Sequence, residues 1–319
     1  MKFRTEVSIG PSERKIEPRH KIFTIGSCFA TEMAAVFHKG QFQTFHNPFG
    51  TLFSPHAVHT ALSRLHSCQY YDEQDLIQYG DQIISLDHHS SFSSLYTHQT
   101  LEKINYQIEE GNLFLQSADW VIITLGSSFV YDFLPKNRRV ANCHKIPQKF
   151  FAKNMLTSEE ISSYVSKMYA LVKDICPVDT TVLFSVSPVR HVKDGFTENL
   201  WSKSRLIDGI LNALNGMQYA AYLPIYELLM DDLRDYRFYK SDLLHPNEQA
   251  VDYIFSKFEE SYFSFDARSF LEENLSISRA LSHRPFQPQS QEYERFIVKI
   301  KERVNRQRLK VEHPIFLEL

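Results

Sequence analysis

Residues 21–40 begin with Lys21-Ile-Phe-Thr-Ile-Gly26, a short run of β-branched and aromatic side chains that stops at a glycine. The next residue, Ser27, stands where a helix N-cap belongs, and residues 29–39 carry apolar side chains at helical spacing. Gly40 then ends the helical pattern. This order of strand, tight turn and helix predicts half of a βαβ unit, whose strand belongs to a parallel sheet.

Similar apolar runs recur along the chain and alternate with helical patterns. Continuous apolar strands are typical of a parallel sheet that is covered by helices on both faces. The alternation therefore predicts an α/β fold, namely a three-layer α/β/α sandwich with a mostly parallel sheet. The further predicted strands are 42–45, 120–125, 181–187 and 219–223, and the further predicted helices are 55–65, 158–176 and 200–214.

The length of 319 residues allows one large domain, or one domain with an accessory piece. We expect a main domain over 1–265, with a loop-rich insertion around 66–116 where polar clusters interrupt the α/β pattern. Residues 266–319 are expected to form a helical C-terminal extension. In that extension 282–290 is predicted to be a linker, and 292–310 a charged amphipathic helix docked on the body.

The composition limits the class of protein. With 43% hydrophobic and 23% charged residues, and no apolar run near the roughly 18 residues of a spanning helix, the chain is predicted to be soluble and globular. Its net charge of −3 provides no field to attract nucleic acid or an anionic membrane, so neither is a predicted partner. The four cysteines lack C-x-x-C spacing, and the N-terminus lacks a secretory apolar core, so we expect reduced thiols and a cytoplasmic location.

Ligands of doubly wound sheets bind beyond the carboxyl ends of the strands, and Ser27 directly follows the first strand. Far along the chain, Asp242 and His245 are three residues apart, a spacing that lets the carboxylate orient the imidazole as a base. A serine hydroxyl attacks only when a positioned base takes its proton. The presence of the Asp242–His245 pair therefore supports Ser27 as a nucleophile, and Ser27 supports the pair as its base. The alternatives are an ordinary N-cap for Ser27 and a capped helix start for the pair.

Several short motifs, in this order, resemble those of the GSCFA domain family, which is named after its first motif. That family is similar to the SGNH, or GDSL-like, hydrolases, which are α/β sandwiches of flavodoxin-like type that deacylate esters. The resemblance implies Ser27 as the nucleophile, His245 as the base, Asp242 as its orienter, and backbone N–H groups of Ser27 and Gly50 as oxyanion donors. The motifs are Gly26-Ser-Cys-Phe-Ala30, Asn47-Pro-Phe-Gly-Thr51, Thr124-Leu-Gly126, Asn142-Cys-His-Lys145, Ser187-Pro-Val-Arg-His191 and Asp242-Leu-Leu-His245.

The chain departs from the SGNH pattern at one oxyanion donor. SGNH enzymes usually place an asparagine shortly after the glycine of the third motif, whereas Gly126 is followed by Ser127 and Ser128. Ser127, Ser128 or Asn47 is therefore the candidate for the third donor. Cys28 is an alternative nucleophile, although a residue one place past a helix cap more often turns into the packing.

Four further polar residues are candidates for substrate binding. Arg190 and His191 end a predicted strand at the same edge, and Asn142 and His144 lie in a loop. Each pair has a structural alternative: Arg190 can tie loops together through an acidic side chain, and 142–144 can form a turn.

Two pairs of histidines, at 56 and 59 and at 88 and 89, invite a metal interpretation. No acidic or cysteine partner lies at ligand spacing, so we predict no metal and no cofactor. The basic stretch 299–310 is interrupted by an acidic residue and by apolar residues, and is interpreted as a solvated helix face.

The leading functional hypothesis is a metal-free serine esterase of SGNH type that removes a small acyl group through an acyl-enzyme. The resemblance suggests an O-acetyl group on a carbohydrate, so the expected partner is a small-molecule or carbohydrate ester. The alternatives are a catalytically weak scaffold that binds a glycan or acyl ligand, and an acyltransferase. The missing asparagine favours the weak scaffold, and the presence of serine, histidine and aspartate together favours the enzyme.

Overall fold

The computed structural model describes residues 5–282 and 289–319. Its strands are β1 (Lys21–Gly26), β2 (Gln43–His46), β3 (Leu76–Tyr79), β4 (Gln82–Ser85), β5 (Trp120–Leu125), β6 (Phe129–Phe133), β7 (Arg138–Val140), β8 (Phe151–Met155), β9 (Thr181–Val186) and β10 (Ala220–Leu223). Its α-helices are α1 (Cys28–Lys39), α2 (Pro55–Ser67), α3 (Thr97–Leu115), α4 (Ser158–Ile175), α5 (Phe196–Leu214), α6 (Ile225–Glu227), α7 (Glu248–Tyr262), α8 (Phe265–Ser282) and α9 (Gln291–Arg308).

The central sheet has five strands in the order β10-β9-β5-β1-β2, and every neighbouring pair is parallel. All residues of β5 and β9 are buried, as continuous apolar strands require. Alternate side chains face opposite layers. Phe23 belongs to the core that the sheet shares with α2, α3, α4 and α5, whereas Ile22 belongs to the core shared with α1, α7, α8 and α9. The predicted three-layer α/β/α sandwich with a mostly parallel sheet is confirmed.

Residues 66–116 are more regular than the expected loop-rich insertion. They contain the antiparallel hairpin of β3 and β4 and the long helix α3. The buried face of α3 carries Ile104, Ile108 and Leu115, but also Thr100 and Gly111, so its apolar stripe is interrupted in the sequence. A second small sheet, β7-β6-β8, was not expected either.

The C-terminal helical extension is confirmed and packs on the layer that contains α1. Ile300 and Val304 of α9 are buried in that layer, and Arg303 forms two hydrogen bonds with Glu273 of α8, at 2.7 and 3.0 Å. The predicted linker 282–290 lies for the most part outside the described residues. Within the described ranges, no helix combines the length and the apolarity that crossing a bilayer requires.

The turn between β1 and α1 is pressed against β5. Gly26 has φ +132°, and a Cβ built on it would lie 2.1 Å from the carbonyl oxygen of Thr124. The same oxygen accepts the N–H of Ser27 at 2.9 Å, and Asn47 Oδ1 accepts the N–H of Gly26 at 2.8 Å. The turn therefore requires glycine, and it starts α1 directly at the edge of the sheet.

A buried lysine joins two strands at this edge. Lys203 of α5 is fully buried, and its Nζ donates to the carbonyl oxygens of Gly126 and Ser187, both at 2.7 Å. These residues follow β5 and β9, so the ammonium group holds the carboxyl ends of the two strands together. Burial lowers the pKa of Lys203 to about 7, against a smaller opposite effect of Cys28.

Replacing Gly26 by alanine is expected to destabilise the fold by about 3 kcal/mol or more, because the new methyl group meets the Thr124 carbonyl. Gly80→Ala is the matched control. Gly80 also has a positive φ, +59°, but a Cβ built on it would meet nothing within 4 Å, so its loss should be about 1 kcal/mol. Urea denaturation measures both, and equal losses would show that the close approach to β5 is unimportant.

Raising the pH from 7 to 9 is expected to increase the free energy of unfolding of the parent relative to Lys203→Met. The folded pKa of Lys203, about 7, lies below the unfolded value of about 10.4. Between these values the unfolded state binds more protons, so stability rises with pH, by at most about 1.4 kcal/mol per pH unit. Urea denaturation at both pH values is the measurement. If the free energy of unfolding of the two proteins depended on pH in the same way, the lowered pKa of Lys203 would be contradicted.

Candidate active site

The candidate site lies at the carboxyl edge of the central sheet. Ser27, Gly126 and Ser187 follow β1, β5 and β9, which are adjacent and parallel, so their segments leave the sheet at the same edge. A crossing segment links two of these ends: the N–H of Leu52 donates to Gly26 O, and the N–H of Gly126 donates to Phe53 O, both at 2.8 Å.

Ser27 occupies the N-cap position of α1, yet its side chain makes no capping hydrogen bond. The residue is fully buried, and its Oγ has no hydrogen-bond partner in the described part of the chain. A buried hydroxyl without a partner costs about 1–3 kcal/mol. The hydroxyl therefore adds nothing to the helix cap, and it is available for chemistry.

Asp242 and His245 form the predicted pair. Asp242 Oδ2 lies 2.7 Å from His245 Nδ1, and Oδ1 accepts the N–H of His245 at 3.0 Å and of Leu244 at 2.8 Å. The two backbone bonds, and then the imidazole, lower the pKa of Asp242 to about 2. Because a carboxylate only accepts, the shared proton belongs to Nδ1, which leaves Nε2 of His245 free to accept a proton.

The loop that carries this pair is anchored on both sides of the edge. Lys240 Nζ donates to Glu32 Oε1 of α1 at 2.9 Å, and the N–H of Arg190 donates to Leu244 O at 3.2 Å. The guanidinium of Arg190 also lies against the rings of Phe196, Tyr236 and Tyr239, at 5.2–5.6 Å. Arg190 thus ties two loops together through its backbone N–H and a carbonyl, and not through an acidic side chain as in the structural alternative.

The structure brings Asp242 and His245 into contact, and it does not join His245 to Ser27 by a hydrogen bond. The pair is 44% and 40% exposed in its side chains, whereas Ser27 is buried. Hydrogen bonds between a nucleophile and its base often tighten only when substrate binds. The roles assigned to the three residues stay predictions.

The backbone donors predicted for an oxyanion are already engaged. The N–H of Ser27 donates to Thr124 O at 2.9 Å, and the N–H of Gly50 donates to Asn47 O at 2.7 Å. The side chain of Asn47 is engaged too, because its Oδ1 accepts from Gly26 and its Nδ2 donates to Thr31 Oγ1 at 2.9 Å. Each of these groups would have to give up its present hydrogen bond in order to donate one to an oxyanion.

Ser127 and Ser128 are likewise bound within the fold. Both hydroxyls lie against Ser202 Oγ, at 3.4 and 3.0 Å, and the N–H of Ser128 donates to that same oxygen at 2.8 Å. The N–H of Ser127 donates to Phe53 O at 3.0 Å. These serines hold α5 to the end of β5, which is a structural role.

His191 is different, because its Nε2 is buried and has no hydrogen-bond partner in the described residues. The ring packs edge-on to Phe53 at 5.1 Å, and a Cβ built on Gly126 would lie 3.4 Å from Nε2. Burial, then the charge of Lys203 and then His245, lower the pKa of His191 to about 3. His191 is therefore neutral at pH 7.

The loop 142–144 is bonded within itself and to the end of β4. Asn142 Oδ1 accepts the N–H of His144 at 2.9 Å, and His144 Nε2 pairs with Ser85 O at 2.7 Å. The neighbouring Ile146 is buried in a small separate cluster under β4 and β7. These bonds favour the turn interpretation of this motif over substrate contact.

Cys28 and the histidine pairs also have structural surroundings. Burial raises the pKa of the Cys28 thiol, which reduces its thiolate fraction. His88 is fully buried and stacks on Phe49 at 4.2 Å, and His56 pairs with Tyr164 at 3.3 Å. Among the residues that the structure describes, no group of three or more His, Cys, Asp or Glu side chains is placed to hold a metal ion.

The burial of Lys203 and the neutral state of His191 were not predicted from the sequence. One signal was present for the lysine: Lys203, Leu206 and Ile210 share one helical stripe, so a charged side chain stands in an apolar row of α5. A lysine in that position is either displaced to the surface or buried with carbonyl partners, as here.

Two solved structures are similar to this chain at low identity. One is a DUF4886 family protein from Bacteroides uniformis, with 10% identity and a TM-score of 0.34, over 94% of this chain and 99% of that one. The other is a carbohydrate esterase family 2 (CE2) enzyme with a carbohydrate-binding domain from Corynascus thermopiles (Myceliophthora fergusii), with 12% identity and a TM-score of 0.37, over 83% of this chain and 69% of that one. Likenesses this weak carry no functional argument. Comparison with curated proteins gives no match.

Family models match the chain over most of its length. The model of the GSCFA family matches residues 21–258, and that of the GSCFA C-terminal domain matches residues 275–314. The first match contains Ser27, Asp242 and His245, and the second covers the C-terminal part of α8 and all of α9. The chain belongs to the GSCFA family.

Proposed function

We propose that this protein is a serine esterase of SGNH type that removes a small acyl group, such as an O-acetyl on a carbohydrate. One observation carries the proposal: a carboxylate–imidazole pair is built into a loop that is bonded to α1, the helix that begins at an unpartnered buried serine. The carbohydrate part rests on the resemblance of the motifs to SGNH enzymes.

In this mechanism Ser27 Oγ attacks the ester carbonyl carbon, and His245 Nε2 takes the hydroxyl proton. The carbonyl oxygen gains the negative charge of the tetrahedral intermediate, while the Asp242 carboxylate stabilises the imidazolium. The intermediate then expels the alcohol, which receives the proton from His245. Water, activated by the same histidine, hydrolyses the acyl-enzyme and restores Ser27.

The chemistry of the neighbouring thiol favours the serine as the nucleophile. Cys28 is the adjacent nucleophilic side chain, but burial raises its pKa and keeps it protonated at neutral pH. Ser27 does not need a low pKa, because a base with its own carboxylate partner removes the proton during attack. The start of α1 also places the positive end of the helix dipole at Ser27, where negative charge develops.

A catalytically weak binding scaffold is the second candidate, and one observation favours it. The N–H groups of Ser27 and Gly50 and the side chain of Asn47 all have partners inside the fold. If these bonds do not exchange, the edge binds an acyl or glycan ligand without stabilising an oxyanion. Labelling of the parent by a fluorophosphonate separates the two candidates, because only an activated serine reacts.

Ser27→Ala is expected to abolish hydrolysis of 4-nitrophenyl acetate and fluorophosphonate labelling without loss of stability, since Ser27 makes no capping bond and its buried hydroxyl has no partner. Ser290→Ala is the matched control: it removes a real cap from α9, costs about 1 kcal/mol and leaves the rate unchanged. Initial rates and urea denaturation measure both. Activity that survives in Ser27→Ala and disappears in Cys28→Ala would move the role to the thiol.

Asp242→Asn is expected to lower kcat by about 10³-fold or more, because an amide can donate to Nδ1 and favour the wrong imidazole tautomer. Asp235→Asn, at another exposed aspartate that accepts a backbone N–H in the same region, should change the rate less than about twofold. An unchanged kcat in Asp242→Asn would mean that the carboxylate only caps its loop.

A further inference from the structure

We propose that His191 is a catalytic residue whose Nε2–H is the side-chain donor to the oxyanion, in place of the asparagine of SGNH enzymes, and that Lys203 is its positioning residue. The inference rests on the proposed esterase function. It assigns the donor that the residues after Gly126 do not supply, since Ser127 and Ser128 are bonded to Ser202.

Unpartnered buried polar atoms occur at the carboxyl edge of the central sheet. Native proteins pair almost all buried polar groups, and each exception requires an explanation. Among the described residues, two such side-chain atoms belong to segments that leave the carboxyl ends of the central sheet, Ser27 Oγ and His191 Nε2. A substrate ester would satisfy both, with its carbonyl carbon at the hydroxyl and its oxygen at the imidazole.

His191 lies beside the strand that holds the backbone of Ser27. His191 Nε2 lies against Gly126, at the end of β5, and β5 is the strand whose Thr124 carbonyl accepts the N–H of Ser27. A Cβ on Gly126 would lie 3.4 Å from Nε2 and 3.0 Å from the Phe53 ring, so Nε2 is close both to the end of β5 and to this ring. The Phe53 ring packs edge-on to the imidazole, so part of its surroundings is apolar and a hydrogen bond there is stronger than in water.

The groups around His191 favour its neutral form. The ionisable groups that face His191 are Lys203 from α5 and His245 from the 242–246 loop, and Cys28 of α1 faces Lys203 in turn. Together with burial, they lower the pKa of His191, so that its ring stays neutral and serves as a donor rather than a base. His245, in contrast, carries a carboxylate on its ring and is suited to accept the proton.

Lys203 fixes this arrangement through the backbone. Its two bonds hold Gly126 O, beneath the imidazole, and Ser187 O, in the segment that leads to His191. The N–H of His191 is itself held by Asn199 Oδ1 of the same helix, at 2.8 Å. The ring is thus positioned from α5 on both sides.

Steady-state kinetics with 4-nitrophenyl acetate test the donor. We expect His191→Ala and His191→Phe to lower kcat by about 10²–10³-fold with KM changed less than about threefold, since the lost bond forms only in the transition state. His191→Gln, which retains an N–H donor, should recover at least about tenfold over His191→Phe. His59→Ala removes another half-buried histidine of lowered pKa, beside Tyr164, and should match the parent.

Nuclear magnetic resonance of the histidine rings tests the charge state of His191 without reference to activity. We expect the His191 ring to stay neutral from pH 5 to 8 with its proton on Nε2, and its titration to move upward in Lys203→Met. A proton on Nδ1, or titration of His191 near pH 6, overturns the proposal.

These measurements distinguish a failure of the proposed esterase function from a failure of the role of His191. A parent that neither hydrolyses the ester nor reacts with a fluorophosphonate overturns the proposed esterase function and the oxyanion role with it. A parent that is active, with equal kcat in His191→Ala, overturns the role of His191 alone. A glutamine variant no faster than His191→Phe shows that ring packing, and not the N–H, is responsible.

Discussion

The close approach of Gly26 to the Thr124 carbonyl is the constraint on which the candidate site depends. Since no side chain fits at Gly26, the chain leaves β1 in a turn that only glycine adopts easily, and α1 begins at once. The backbone of Ser27 is then committed to Thr124 O, whereas its hydroxyl is left buried and unpaired. Asn47 closes the turn from the β2 side by accepting the N–H of Gly26.

The ionisable groups at this edge differ in how deeply they are buried. The inner group is Lys203, whose Nζ is held by two carbonyl oxygens and whose pKa burial lowers to about 7. The neighbouring imidazole of His191 is neutral because of its burial and of the charge of Lys203. The carboxylate of Asp242 lies outside, half exposed, with its imidazole. Proton transfer is thus suited to the outer, solvated pair, where a charged imidazolium is hydrated, and stabilisation of an anion to the inner, drier groups.

The sequence predicted the parts of the fold that local pattern determines. Strands 21–26 and 120–125 agree with the structure to the residue, because each is an apolar run that stops at a glycine or just before one. Helix α3 was missed because its buried face includes Thr100 and Gly111, which interrupt the helical spacing of apolar residues by which a helix is predicted from sequence. At the site, the contact of Asp242 with His245 follows from their spacing, but the neutrality of His191 depends on α5, which only the tertiary structure places beside it.

The polar groups of the sheet show why this edge points to a ligand. In the interior, Thr124 Oγ1 and Ser185 Oγ satisfy each other at 2.9 Å, so these two neighbouring strands pair their hydroxyls there. At the edge, Ser27 Oγ and His191 Nε2 are buried without partners among the described residues, each at a cost of about 1–3 kcal/mol. Alanine at 27 or an apolar ring at 191 would remove that cost. Ser27 and His191 both destabilise the fold, and both lie at the same end of one sheet. Such side chains are expected where a bound substrate supplies the missing hydrogen-bond partners.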